Sequence, residues 1–182
     1  MRKIVVLLTL FVVAVACKSP EARRPISSKT GSFIDQSVIR NKKLYAKEKS
    51  HFEKLMKANP DVEYVTSQNG FWYYYNEKVG DTLTKPQFGD IVNFDYDVKT
   101  IDGLTIYSKS DTKTQTYIMD KQELFTGLRE GLKLMKTGET VTFMFPSQKA
   151  FGYYGDNNRI GMNVPLICKV TLNSITTPKT IN

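Results

Sequence analysis

The chain has 182 residues, enough for one domain of ordinary size plus an extension. Hydrophobic residues at 41% and charged ones at 24% exclude both a disordered chain and one made only of membrane spans. The formal charge is +8, yet residues 1–17 carry +2, residues 18–60 carry +7 and residues 61–182 carry −1. A nucleic-acid-binding domain concentrates its basic excess on the folded part. Here that part is neutral, so no nucleic-acid partner is expected.

Residues 1–16 read as an address. Arg2 and Lys3 precede an apolar run over residues 4–16 that is too short for a bilayer span of about 20 residues but suits a signal segment. Its end, Ala14-Val15-Ala16-Cys17, resembles a bacterial lipobox, which makes Cys17 the expected lipidation site. An ordinary secretory signal cleaved near Ala16 is the competing reading. Residues 17–31 are polar, contain Pro20 and Pro25, and read as a tether. A basic amphipathic helix is expected over residues 32–60, opened by Ser32 and Asp35 as a capping box and stopped by Asn59-Pro60. Its stripe of Ile34, Val38, Tyr45, Phe52 and Met56 is narrow. Three uses stay open: packing on the domain, pairing with a second copy, or lying near lipid with lysines toward anionic headgroups. His51 lies in this helix and reads as a solvated residue.

From residue 61 the period changes to two. Strands are expected over residues 63–67, 71–75, 91–98, 104–107, 140–146 and 166–175, with turns at Asn69-Gly70 and Asp102-Gly103. One helix is expected over residues 122–135, closed by Thr137-Gly138. A Gly/Tyr/Asn-rich loop fills residues 147–163. The result is an α+β domain over residues 61–177, with an N-terminal helical arm and a short tail at 178–182. With one histidine, two cysteines and no Walker, GxGxxG or HExxH motif, neither a metal nor a cofactor is expected.

The order Gly89-Asp90, Tyr96, Asp102-Gly103, then Leu124-Phe125-Thr126-Gly127-Leu128-Arg129-Glu130-Gly131, Lys136-Thr137-Gly138-Glu139, Ala150-Phe151-Gly152-Tyr153 and Asn163-Val164-Pro165-Leu166 resembles the FK506-binding-protein family of peptidyl-prolyl isomerases. The N-terminal segment around Cys17 and residues 21–27, followed by residues 70–76, further resembles the gliding-motility-associated isomerase lipoproteins of gliding bacteria. The family resemblance implies a curved antiparallel sheet wrapped on one short helix. It also implies catalysis of X–Pro isomerisation in an apolar pocket, without acid, base or nucleophile. By resemblance the catalytic walls are Tyr96, Ile106, Leu128 and Phe151, with Leu128 as the floor. Substrate would be bound by Tyr107, Tyr117, Leu124, Phe125, Ile160 and Cys168, the Phe125 and Ile160 amides donating to substrate carbonyls. Tyr107, Leu128 and Phe151 stand where the family commonly has aspartate, tryptophan and tyrosine.

The implied partners are proline-containing exported polypeptides, some of them motility proteins, and a membrane reached through lipid on Cys17. The implied location is the outer membrane, facing the periplasm. The competing function is a non-catalytic chaperone or scaffold lipoprotein that uses the same groove.

Overall fold

The computed structural model describes residues 30–80 and 83–178. The expected signal, tether and lipidation site at Cys17 lie outside the described residues, as does most of the tail.

The period-two segments pair into one antiparallel sheet. Its strands are β1 (Val65–Thr66), β2 (Trp72–Glu77), β3 (Ile91–Tyr96), β4 (Val98–Thr100), β5 (Thr105–Tyr107), β6 (Gln115–Ile118), β7 (Thr140–Phe145) and β8 (Leu166–Thr176). They lie in the order β1-β2-β7-β8-β3-β6, and the long β8 also pairs with β4, which pairs with β5. The helices are α1 (Thr30–Ala58), α2 (Lys109–Thr112) and α3 (Thr126–Leu132), with a single 3₁₀ turn at Ser147–Lys149 among the described residues. This is the expected α+β architecture.

Local chemistry explains the turns and the departures from expectation. The β1–β2 hairpin closes through Ser67 N–H to Phe71 O at 2.9 Å, with Gly70 at φ 78 supplying the left-handed residue. The strand expected over residues 91–98 breaks at Asp97, whose carboxylate accepts the Lys169 N–H at 3.0 Å in place of a ladder bond. Ser108 begins an unexpected helix, α2: its Oγ accepts the Asp111 N–H and its own N–H donates to Asp111 Oδ2. β6 was also not expected.

The helix expected over residues 122–135 shrinks to α3. Phe125 is extended at φ −60, ψ 142, so the chain enters the helix only after it. At the other end the Leu134 and Met135 amides bond back three residues, to Gly131 and Leu132, in tight turns. Gly138 docks on β8 through Leu172 O at 2.8 Å rather than closing the helix. Leu124, Phe125 and Met135 still reach the core, which is why their spacing reads as helical.

Both faces of the sheet are covered. On one face Phe71, Val141, Phe143, Phe145, Cys168 and Leu172 pack with Leu128 and Leu132 of α3. On the other, Trp72, Ile101 and Met144 pack with Phe52, Leu55 and Met56 of α1. β7 is therefore buried along its whole length, alternating between two cores. Packing on the domain is thus what the second half of α1 does. The second half of α1, from Ile39, belongs to the same compact unit as the sheet. Ser32 already lies inside α1 rather than at its cap. Phe33, Ile34, Val38 and Ile39 are exposed.

Phe52 is fully buried, its ring 5.5 Å from Trp72, the single tryptophan of the chain. Phe52→Ala is expected to cost about 3–5 kcal/mol. Urea unfolding followed by Trp72 fluorescence measures it; a loss below about 1 kcal/mol would show that α1 is not part of the fold.

Candidate active site

The site begins with a close approach. A Cβ at residue 127 would meet Phe145 Cδ1 at 2.5 Å and Lys149 O at 2.7 Å, and one at residue 131 would meet the Phe143 ring at 3.0 Å. Gly127 and Gly131 thus let α3 lie directly on the aromatic rows of β7. Phe143 and Phe145 stack at 5.5 Å and 9°. Phe125, held at the entrance of α3, stands edge-on to Phe145 at 5.5 Å and tilted against Phe151 at 5.0 Å. The result is a continuous aromatic wall running from core to surface.

That wall borders a cleft of about 220 Å³. Tyr96 and Val98 reach it from β3 and β4, Tyr107 from β5, and Asp111 and Thr112 from α2. Phe125 closes it from the α3 side; Phe151, Asp156 and Ile160 close it from the 147–163 loop. It is smaller than the roughly 300–1,000 Å³ typical of drug-sized sites and suits one small apolar group. The Phe125 N–H has no partner among the described residues, whereas its carbonyl accepts the Arg129 N–H at 3.1 Å. An unspent backbone donor therefore belongs to a residue of the cleft wall.

The polar rim is organised by Asp156. One carboxylate oxygen accepts the Asn158 and Ile160 N–H groups at 2.9 and 2.8 Å, and the other accepts the Tyr107 hydroxyl at 2.5 Å. Arg159 lies over the Tyr107 ring at 5.0 Å and donates to Ile106 O at 3.0 Å. Burial alone would raise the Asp156 pKa, but these hydrogen bonds together hold it below the ordinary 3.8. Tyr107 is pushed above 10.0 by burial first and by its bond to Asp156 second. Burial likewise raises Tyr96, with Cys168 and Tyr107 adding to the effect.

Of the residues expected at the site, Tyr96, Tyr107, Phe125, Phe151 and Ile160 come together at the cleft. Ile106 and Leu124 are half-buried against the core beside it. Leu128, Tyr117 and Cys168 are buried and do not line it. Leu128 is wholly enclosed by the core, where the glycines on either side draw α3 down onto the sheet. Tyr117 turns its hydroxyl to Gln122 O at 3.2 Å and Asp120 N–H at 3.3 Å, holding a turn. Burial pushes the Cys168 thiol up, with Asp97 adding to it. The Ile160 amide is spent on Asp156 and is not a free donor. Sequence reasoning missed Val98, Asp111, Thr112, Asp156 and Arg159. Of these only Asp156 carries a readable signal, as the acid opening an Asx turn at Asp156-Asn157-Asn158.

Residues 83–173 match the family model described as FKBP-type peptidyl-prolyl cis-trans isomerase. The chain belongs to this family. A probable FKBP-type peptidyl-prolyl cis-trans isomerase FkpA from Neisseria meningitidis serogroup B (strain ATCC BAA-335 / MC58) is 29% identical over 70% of this chain and 46% of its own length. FkpA from Aeromonas hydrophila is 29% identical over 84% of this chain and 53% of its own. The chain spans about half the length of these curated relatives. The crystal structure of Escherichia coli FkpA superposes with a TM-score of 0.61 at 22% identity, covering 97% of this chain and 83% of that one. A peptidyl-prolyl isomerase structure from Pseudomonas syringae pv. tomato superposes with a TM-score of 0.59 at 23% identity, covering 75% and 96%. At that identity the superpositions speak for the fold.

The Asp156 hub has a definite pH window. A lowered carboxylate pKa contributes stability that is present above 3.8 and lost as pH falls through the still lower folded value. A raised phenol keeps its proton, and its hydrogen bond, throughout the neutral range. The Asn158 and Ile160 amide chemical shifts are therefore expected to stay constant through the neutral range. They should move together in acid, and a midpoint above 3.8 contradicts the hub.

Proposed function

We propose that the protein is a peptidyl-prolyl cis-trans isomerase that acts on X–Pro bonds of exported polypeptides. The observation that carries the reading is a small aromatic cleft with a free backbone donor on its wall. Partial double-bond character sets a barrier of about 18–20 kcal/mol for the bond. At the top of that barrier the amide is twisted, its conjugation is broken and its carbonyl is less dipolar than in the planar form. Water stabilises the planar form better than the twisted one, so an apolar cleft lowers the barrier by excluding water.

Each residue then has a physical task. Tyr96, Phe125 and Phe151 enclose the prolyl ring, and the Phe125 N–H fixes a neighbouring carbonyl. The Tyr107–Asp156 pair forms a closed polar edge whose groups are already bonded to one another. Its lowered carboxylate and raised phenol keep one charge state near neutrality, so neither exchanges protons with substrate. Leu128 supports this wall from within the core.

Anchoring rests on the sequence. Cys17 after a lipobox-like ending supports a lipid-anchored protein of the bacterial envelope, at the outer membrane and facing the periplasm, with motility proteins among its clients. The exposed Phe33, Ile34, Val38 and Ile39 on the first half of α1 support pairing with a second copy there. A non-catalytic chaperone reading is favoured by one observation: Tyr153, Tyr154 and Met162 are exposed on the loop that bears Phe151.

The full chain is expected to speed cis-to-trans relaxation of an X–Pro peptide. Phe125→Ala should lower kcat/KM at least tenfold, a barrier change of about 1.4 kcal/mol, while remaining folded. A folded parent without activity leaves the chaperone reading in its place. Cys17→Ala is expected to abolish acyl labelling and move the protein out of the membrane fraction; unchanged labelling removes the anchoring claim.

A further inference from the structure

Glu48 is a buried carboxylate, 5% exposed, on the one helix that the chemistry above does not use. Its two oxygens are directed at a single residue 99 positions away. Oε2 accepts the Ser147 N–H at 2.9 Å and Oε1 accepts the Ser147 hydroxyl at 2.6 Å. Ser147 itself is fully buried. A buried carboxylate is costly unless it is fully hydrogen-bonded, and docking of α1 does not need one, because Phe52, Leu55 and Met56 already pack there. The pair therefore calls for a reason beyond attachment.

That reason lies in what hangs from Ser147. Its carbonyl accepts the Ala150 and Gly152 N–H groups at 3.1 and 2.9 Å. The Gly152 carbonyl in turn accepts the Asn163 N–H at 2.7 Å, so both ends of the 147–163 loop are tied back to one residue. Phe151 lies inside this knot, and Asp156 and Ile160 lie on the loop it closes. On its other side the same root touches α3, since Lys149 O fills the space a Cβ at residue 127 would need. Ser147 thus sets Phe151 and the α3 entrance relative to each other, and these are the two aromatic walls of the cleft.

We infer that Glu48 is a positioning residue for the isomerase site, acting through Ser147 on the loop that carries Phe151. The inference rests on the isomerase reading above. It gives α1, through Glu48 alone, a role at the site beyond that of an arm. The 2.6 Å bond to the hydroxyl is short and directional. A misplacement of about 1 Å at a wall can cost up to 100-fold in rate.

The test uses the full chain and four variants: Glu48→Ala, Glu48→Gln, Ser147→Ala and Leu55→Ala. Isomerisation of an X–Pro peptide gives kcat and KM, and amide hydrogen exchange gives local order. Glu48→Ala and Ser147→Ala are expected to lower kcat/KM by about tenfold and to speed exchange at Gly152 and Asn163, with β7 and β8 amides unchanged. Glu48→Gln can still accept from the Ser147 N–H and donate to its Oγ, and is expected to recover most of the loss. Leu55→Ala loosens the helix without touching Ser147, and should lower stability while leaving loop exchange and kcat/KM as in the parent. If Glu48→Ala does not fold, Ser147→Ala carries the test, because it removes the hydroxyl bond alone.

Parent-like activity and parent-like loop exchange in the folded Glu48 and Ser147 variants overturn the inference. So does faster exchange spread evenly over β7 and β8, which marks a merely structural contact. An inactive parent overturns the isomerase reading itself, an outcome distinct from an active parent whose variants match it.

Discussion

The closeness of α3 to the sheet is the constraint from which the site follows. Gly127 and Gly131 offer no Cβ to Phe145 and Phe143, so the helix settles onto the rings rather than riding above them. Had either position carried a side chain, the helix would have lifted and the aromatic wall would have opened. Seated as it is, the helix buries Leu128 and Leu132 completely and brings Phe125 to the surface at its entrance. The core and the cleft are thus one packing problem. A leucine inside and a phenylalanine at the rim are its two ends.

The loop over residues 147–163 completes the enclosure and is itself held at two places. Its tip is organised by Asp156, which gathers two amides and the Tyr107 hydroxyl. Its root is held by Ser147 against Glu48. The polar groups near the cleft are thus largely spent on one another. What remains for a ligand is apolar surface and the Phe125 amide, a set suited to a reaction whose difficulty is rotation about a bond rather than transfer of a proton. The positions where this chain differs from the commoner family residues fit that picture. Tyr107 returns a hydroxyl to the rim from the opposite wall, and Asp156 returns a carboxylate.

Much of the fold was legible because its signals are local. Asn69-Gly70 makes a hairpin by its own backbone preference, and alternation in β3, β7 and β8 shows which side chains face the helix. The errors also have local causes. Leu124, Phe125 and Met135 keep helical spacing while sitting outside the helix, so the spacing overstates its length. β6 was missed because Gln115 and Thr116 dilute the apolar pattern around Tyr117 and Ile118. Tyr96, Tyr107, Phe125, Phe151 and Ile160 are legible by resemblance, which records positions but not depth; that Leu128 and Cys168 are fully enclosed emerges only from the packing. Glu48 gave no sign at all. A single acid in a lysine-rich helix has meaning only once the chain has brought Ser147 to it.

The central claim is that the cleft accelerates rotation by excluding water and transfers no proton in the rate-determining step. Comparing kcat/KM for an X–Pro peptide in light and heavy water tests it most directly, with the temperature fixed and the acidity matched. Every exchangeable proton in the cleft is replaced by deuterium, yet no bond to one of them is broken or formed in the proposed step. The account predicts the same rate in both solvents. A clearly slower reaction in heavy water would place a proton in flight at the transition state and contradict it.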